Sequence, residues 1–193
     1  GLRKAGFDIV CFDFRNQGES DHLPGYQSLH WLTHFEVTDT LAVLQYVTSQ
    51  PAWRDLPVGL FGISRGGCAA LVASGKCAAV KGVVCDGAYS TFGLLWYYTV
   101  RYGPVFISRT LFGLIPNWHL KWTLRMVMWW SAKKRRCTYT RIERELQRLW
   151  QPPVLLISGE RDNYVTPQIT RELDACLPEG TGAVWIVPHA KHN

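Results

Sequence analysis

Short apolar runs alternate with amphipathic segments along most of this 193-residue chain. Continuous apolar runs are typical of strands buried in a parallel sheet, where both faces of a strand are covered. The pattern predicts strands over residues 6–13, 58–63, 81–86, 153–159 and 182–188. Between them, helical periodicity predicts helices over residues 30–49, 66–74 and 167–177. The alternation indicates an α/β domain, a mostly parallel sheet with helices on both faces.

Residues 91–150 depart from this alternation. They hold eleven of the 21 basic residues but only two acidic ones, a net charge of +9, whereas the rest of the chain carries −3. Six of the nine tryptophans fall here. Two groups of apolar residues follow helical spacing: Trp118, Trp122 and Trp129, and then Ile142, Leu146, Leu149 and Trp150. We interpret residues 91–150 as a helical lid inserted between two parts of the domain, residues 1–90 and 151–193.

The overall composition, 47% hydrophobic and 19% charged, is that of a globular protein. The chain shows no signal-peptide pattern, and its longest apolar stretch is interrupted by Arg101 and Arg109. The six cysteines lack C-x-x-C spacing and the histidines lack metal-ligand spacing, so we expect reduced thiols and no metal. These features predict a cytoplasmic protein, free or associated with a membrane.

A serine lies at the tip of a predicted strand–turn–helix. Gly62 lies two residues before Ser64 and Gly66 two residues after it. Glycines at these positions avoid collisions in so sharp a turn. The turn would lift the Ser64 hydroxyl above the edge of the sheet, at the N-terminus of a helix. There the Arg65 N–H could stabilise negative charge on a substrate oxygen.

The loops after two later strands carry a carboxylate and a histidine. Asp162 follows the strand predicted over residues 153–159, and His192 follows the last predicted strand. The carboxyl ends of parallel strands meet at one edge of a sheet, so we expect both side chains near Ser64. A histidine held by a carboxylate is the usual base that activates a serine hydroxyl. The order predicts a triad of Ser64, Asp162 and His192.

With these residues in place, the chain resembles the α/β-hydrolase superfamily. Four segments carry the likeness. Residues 12–20 resemble its D-x-R-G-x-G-x-S loop, residues 62–66 its nucleophile elbow, residues 158–167 its G-x-x-D-x-x-V-P segment, and residues 190–193 its G-x-x-H ending. The likeness spans nearly all of the chain outside residues 91–150, where this family usually carries a variable lid. Among its branches, the chain is most similar to lysophospholipase-like and serine-aminopeptidase-like enzymes.

Some positions depart from the family pattern. Asn16 stands where the loop normally has glycine, and asparagine tolerates the left-handed backbone better than most residues. The family's first three strands and its closing helix have no counterpart here. The resemblance therefore implies a fragment of a longer chain or a heavily rearranged one, in which the predicted strand 6–13 lacks its usual neighbour. It also implies that the second donor of the oxyanion hole lies outside the sequence.

The resemblance implies a serine hydrolase that cleaves a carboxylic ester through an acyl-enzyme, with an acyl-lipid as one candidate substrate. Ser64 would be the nucleophile, His192 the base, Asp162 its partner, and the Arg65 N–H an oxyanion donor. Asp86 is the alternative acid, and His189 is interpreted as a solvated loop residue. No cofactor or metal is implied. A serine aminopeptidase, an acyltransferase and a non-catalytic module that binds a membrane or partner remain open.

Two roles are open for the aromatic, basic lid. Its tryptophans could pack on the domain, which is the interpretation we favour from the sequence. Alternatively, they could contact a lipid surface while residues 133–136, a run of four basic side chains, meet anionic head groups. Nucleic-acid binding would suit the charge, but no recognisable motif supports it.

Overall fold

A computed structural model describes residues 1–27, 29–148 and 152–192. Its centre is a four-stranded parallel sheet in the order β1-β2-β3-β4, with strands Val58–Ile63, Val80–Asp86, Val154–Gly159 and Gly182–Val187. The predicted parallel α/β architecture is confirmed, and these four strands lie within one residue of their predicted bounds. Because all strands are parallel, the loops after them emerge at one edge of the sheet.

The described part of the chain holds seven α-helices and a short 3₁₀ helix, Leu2–Ala5. The α-helices are α1 (His34–Ser49), α2 (Arg65–Ser74), α3 (Thr91–Phe106), α4 (Arg109–Leu114), α5 (Asn117–Lys134), α6 (Ile142–Arg148) and α7 (Pro167–Asp174). Helix α2 packs on β1, β2 and α1, whereas α7 packs on β3 and β4. The main core lies between these helices and one face of the sheet.

Helix α1 begins four residues later than its periodicity predicts. Thr33 caps its N-terminus: the threonine hydroxyl accepts from Phe35 N at 3.1 Å, and the Glu36 carboxylate accepts from Thr33 N at 2.7 Å. A capping box of this kind satisfies N–H groups that have no partner within the helix. Thr33 therefore fixes the start of the helix, which apolar spacing alone does not locate.

The predicted strand over residues 6–13 is wrong. Residues 7–14 form neither strand nor helix, and most of their large side chains are exposed, namely Phe7, Ile9, Val10 and Phe12. Among the described residues, β1 is an edge of the sheet, so this segment has no neighbouring strand to complete its hydrogen bonds. An apolar run cannot form a strand without such a partner.

Helices flank the sheet as predicted, but within the described residues they cover one of its faces rather than both. Gly62, Cys85 and Leu156, aligned on neighbouring strands, are buried on the helix side. On the opposite face, Phe61 on β1 is 63% exposed, and Ile63 and Trp185 are exposed as well. We call this the open face of the sheet.

Residues 91–148 form four helices, α3 to α6, joined by short connections, as expected of the segment interpreted as a lid. The expectation that its tryptophans pack on the domain is wrong: α5 has no buried residue, and Trp118, Trp122 and Trp129 are exposed. By contrast, Ile142 and Leu146 on α6 are fully buried, whereas Leu149 and Trp150 lie outside the described residues. No helix in the described ranges is long and apolar enough to cross a membrane.

Candidate active site

Ser64 occupies a strained turn between β1 and α2. Its backbone has φ 51° and ψ −120°, a region that residues with side chains rarely adopt. The Ser64 N–H donates to the Asp86 carbonyl at the end of β2, at 2.7 Å. This bond fixes the serine at the carboxyl edge of the sheet, where Ser64 is the half-buried N-cap residue of α2 and its side chain makes no capping hydrogen bond.

Only one of the two flanking glycines is required by packing. A Cβ on Gly62 would lie 2.5 Å from the carbonyl carbon of Gly66 and equally close to the nitrogen of Gly67. A Cβ on Gly66 would meet nothing within 4 Å. The expectation that both positions must be small therefore holds for Gly62 but not for Gly66.

Asp162 is buried in the loop after β3 and accepts three hydrogen bonds. Its Oδ1 accepts from the backbone N–H groups of Tyr164 and Val165, at 2.8 and 2.9 Å. Its Oδ2 lies 2.6 Å from His192 Nδ1. Because a carboxylate can only accept a hydrogen bond, Nδ1 carries the proton and donates a hydrogen bond to Asp162. That arrangement leaves the lone pair on Nε2, the form needed by a general base.

Gly87 brings the histidine ring beside the serine turn. Gly87 has φ 63°, and a Cβ there would lie 3.0 Å from His192 Cε1. Gly87 follows Asp86, whose carbonyl holds the Ser64 N–H. Within the described residues, Ser64 Oγ and His192 are not hydrogen-bonded to each other. Such contacts are often long in ligand-free enzymes and shorten when substrate binds.

Backbone contacts hold the loops after β3 and β4 together. Arg161 N donates to the Ala190 carbonyl at 2.8 Å, and Glu160 N donates to the Val187 carbonyl at 3.0 Å. A Cβ on Gly159 would lie 2.6 Å from the Ala190 oxygen, so the two loops touch there. Because of this contact, His192 in the loop after β4 lies within hydrogen-bonding distance of Asp162 in the loop after β3.

The alternative residues lie in different surroundings. His189 is exposed on the same loop, and its backbone N–H donates to Glu160 Oε2 at 2.8 Å. Asp86 holds the serine turn through its backbone carbonyl, whereas the carboxylate that pairs with His192 is that of Asp162.

Two cysteines beside the serine turn are buried rather than reactive. Cys68 Sγ donates to the Tyr89 carbonyl at 3.2 Å, and Cys85 Sγ donates to the Gly67 carbonyl at 3.3 Å. Burial raises the pKa of the Cys68 thiol to about 12 and raises the pKa of Cys85 as well. Since the thiolate is the nucleophilic form, neither thiol is a nucleophile at neutral pH. All six cysteines are free.

Sequence reasoning missed the surroundings of the Arg65 side chain. Arg65 begins α2, so its N–H has no partner within the helix and borders Ser64, as the oxyanion assignment requires. Its guanidinium, however, turns toward the buried Glu36 on α1. The Thr33-x-x-Glu36 pattern could have predicted the helix cap. The contact between Glu36 and Arg65 is tertiary, and no local sequence pattern indicates it.

No cluster of three or more potential ligands (His, Cys, Asp or Glu) suited to a metal ion is found in residues 1–27, 29–148 and 152–192. A cavity of about 450 Å³ lies between α3, α5 and residues 138–144, bordered by Phe92, Trp129 and Arg141. Ser64, Asp162 and His192 do not line this cavity.

A serine on a strained strand–helix turn and a histidine paired with a buried carboxylate thus lie in loops at one edge of the sheet. Residues of these types are the ones that serine hydrolases combine. Residues 1–129 match the family described as alpha/beta hydrolase fold. The match covers well over half of the chain, which therefore belongs to the α/β-hydrolase family.

Solved structures of esterases and lipases share this fold. An esterase of Pyrococcus furiosus has a TM-score of 0.64 at 18% identity, over 99% of this chain and 64% of its own length. Acetyl xylan esterase 1 of Thermoanaerobacterium gives 0.67 and 17%, over 100% and 63% of the two chains. A monoacylglycerol lipase of Paleococcus ferrophilus gives 0.58 and 18%, over 100% and 77%. The chain thus spans somewhat under two thirds of the length of the two esterases.

Proposed function

We propose that the protein is a serine hydrolase that cleaves a carboxylic ester. The pairing of His192 with the buried Asp162, at the same sheet edge as the strained Ser64, is the observation that carries this proposal. The esterases and the lipase that share the fold are consistent with ester hydrolysis. An acyl-lipid is the substrate class we favour, because the lid exposes a large apolar surface.

The reaction follows from the roles that these groups can take. His192 Nε2 accepts the proton of Ser64 Oγ while the oxygen attacks the ester carbonyl, and Asp162 stabilises the imidazolium that forms. The Arg65 N–H stabilises the oxyanion at the N-terminus of α2. His192 then gives its proton to the departing alcohol, which leaves an acyl-enzyme on Ser64. Water activated by His192 releases the acid.

Labelling with a fluorophosphonate probe tests this proposal, because the probe forms a covalent bond with an activated serine. The wild-type protein is expected to label and to hydrolyse short p-nitrophenyl esters, and Ser64→Ala to do neither. Ser49→Ala, which removes an exposed hydroxyl on α1, is the matched control and should retain both activities. A wild-type protein that neither labels nor hydrolyses any ester would contradict the proposal.

A second function is favoured by the surface of α5: contact with an anionic lipid surface. Four side chains, Trp118, Trp122, Met126 and Trp129, recur at intervals of three or four residues along one side of the helix, and Trp118 is 69% exposed. We call these four residues the α5 stripe. Such a stripe on an 18-residue helix suits a helix that lies in a membrane interface.

Charge favours an anionic lipid as the occupant of this surface. No Asp or Glu occurs between Asp86 and Glu143. Lys133 and Lys134 follow the stripe at the end of α5, with their ammonium groups 4.2 and 5.6 Å from the ring centroids of Trp129 and Trp130. Basic side chains interleaved with aromatic rings match the head-group region of a negatively charged bilayer, where each cation contributes about 1 kcal/mol.

Sedimentation with lipid vesicles tests this second function independently of catalysis. Phosphatidylglycerol vesicles should bind the protein and phosphatidylcholine vesicles should bind it weakly, with the difference removed by high salt. Lys133→Ala/Lys134→Ala should weaken binding, whereas Arg3→Ala/Lys4→Ala, an equal charge change on exposed residues, should not. Trp118→Ala/Trp122→Ala should also weaken it, with the exposed Trp185→Ala as control. If the protein does not bind phosphatidylglycerol vesicles at low salt, the proposed contact with an anionic lipid surface is wrong.

A further inference from the structure

The side chain of Arg65 ties the serine turn to the N-terminus of α1. Its guanidinium donates to the Leu29 carbonyl and lies 3.7 Å from Glu36 Oε1. The same group sits 5.8 Å from the centre of the Phe14 ring. Although arginine is usually a surface residue, only 15% of this side chain is exposed. The residue directly after Ser64 is thus held from outside the site.

Glu36 makes this anchor specific. The carboxylate is 1% exposed and accepts from Thr33 N at 2.7 Å, from Thr33 Oγ1 at 2.6 Å and from the Tyr26 hydroxyl at 2.8 Å. A buried carboxylate with neutral donors still needs a compensating charge, and Arg65 supplies it. Glu36 is therefore the partner of both the helix cap, through Thr33, and the serine turn, through Arg65.

The loop that receives Arg65 is held from a second side. The carbonyl of His30, next to Leu29, accepts from the hydroxyl of the buried Tyr89. Tyr89 follows β2, three residues after Asp86, whose carbonyl binds the Ser64 N–H. The adjacent carbonyls of Leu29 and His30 thus accept hydrogen bonds from Arg65, in the serine turn, and from Tyr89, just after β2. The relative position of these two elements determines the geometry of the site.

We propose that Arg65 is a positioning residue, whose side chain, through Glu36 and the Leu29 carbonyl, holds its own N–H and Ser64 in the geometry that the reaction needs. The proposal rests on the proposed function of Ser64. It assigns the backbone N–H and the side chain of one residue to separate tasks: the N–H faces the oxyanion, and the guanidinium fixes where that N–H points. A small misplacement of such a donor lowers the rate of reaction far more than it weakens substrate binding.

The rate constant for fluorophosphonate labelling, with kcat and KM for a p-nitrophenyl ester, tests this role below the unfolding temperature of each variant. Arg65→Met should lower the labelling rate and kcat by about tenfold to a hundredfold and change KM less than about twofold. Arg65→Lys, which keeps a cation, should restore part of the rate. Glu36→Gln should also lower it, and Arg65→Met/Glu36→Gln should be no worse than Arg65→Met alone, since both changes break one link.

Arg54→Met removes an exposed arginine and should leave all three constants unchanged. If Arg65→Met lowers the melting temperature but labels at the wild-type rate, Arg65 is only structural and the positioning role is wrong. If Arg65→Met does not fold, wild-type kinetics in Arg65→Lys and Glu36→Gln would overturn the role equally. If the wild-type protein does not label, both this role and the proposed function are overturned. Wild-type kinetics in the variants overturn only this role, so the two failures are distinguishable.

Discussion

Asp162 presents its two carboxylate oxygens to different partners. Oδ1 accepts from two backbone N–H groups, and Oδ2 accepts from His192. An asparagine would keep its oxygen on the backbone side, where only an acceptor fits, and would turn its NH₂ group toward the ring. His192 would then have to accept at Nδ1 and carry its proton on Nε2, so it could not take the proton of Ser64.

We therefore expect Asp162→Asn to lower kcat for ester hydrolysis by about 10³-fold to 10⁴-fold while the protein remains folded. Steady-state hydrolysis and a thermal melt measure the two effects. The control is Asp55→Asn, at an exposed carboxylate. A loss of less than about tenfold would mean that the tautomer of His192 is not set by Asp162.

The residue scale also shows which parts of the site can be predicted from a sequence. The glycines at positions 62 and 66 predict the turn that carries Ser64. The pairing of Asp162 with His192 can be predicted from their places after strands, because strand ends determine which loops meet. Asn16 has the left-handed backbone that was expected of it, with φ 61°. The partnership of Arg65 with Glu36 was not predicted, because it joins residues 29 positions apart without any periodic signal.

The strand–turn–helix element depends on one close approach, that of Gly62 to the first turn of α2. The atoms that a Cβ would strike belong to the backbone of Gly66 and Gly67, which cannot move aside without shifting α2. We expect Gly62→Ala to lower the free energy of unfolding by about 2 kcal/mol or more. Chemical denaturation measures this change.

Gly66→Ala is the matched control within the same element. Its new methyl group would enter open space near the start of a helix, where alanine is favoured over glycine by about 0.5–1 kcal/mol. Gly66→Ala should therefore be neutral or stabilising. Equal losses at both positions would show that the turn, rather than the approach to α2, requires glycine.

At the scale of elements, the strands that pair in the sheet were predicted well because continuous apolar runs carry a local signal. The segment 6–13 has the same signal but no neighbouring strand among the described residues, and strand formation depends on that non-local partner. Helix α5 was predicted as a helix, yet periodicity could not tell whether its aromatic side is covered. In both cases the missing information was what lies next to the element.

For the molecule as a whole, buried thiol and phenol groups link stability to alkaline pH. Burial raises the pKa of Cys68 from 9.0 to about 12 and also raises the pKa of Tyr26 and Tyr89 above 10.0. In the unfolded chain the Cys68 thiol loses its proton above about pH 9 and the two tyrosines lose theirs above about pH 10, while the folded protein retains these protons. The contribution of these groups to stability is therefore complete below pH 9 and is lost progressively as the pH rises toward 12.

Urea denaturation at intervals from pH 8 to pH 11 measures this dependence. Each such group lowers the free energy of unfolding by at most about 1.4 kcal/mol per pH unit. Cys68→Ala should reduce the slope above pH 9 relative to the wild type, because one titrating group is removed. A Cys68→Ala slope identical to that of the wild type would show that Cys68 does not contribute.

The open face of the sheet has a consequence for how folding of this chain is monitored. Phe61, Ile63 and Trp185 give the folded protein an apolar surface that resembles those exposed by partly folded states. Dyes such as 8-anilinonaphthalene-1-sulfonate, whose fluorescence usually signals a molten globule, should bind the native protein here. Their fluorescence is therefore a poor indicator of lost tertiary packing in variants of this chain, and near-ultraviolet circular dichroism is the better one.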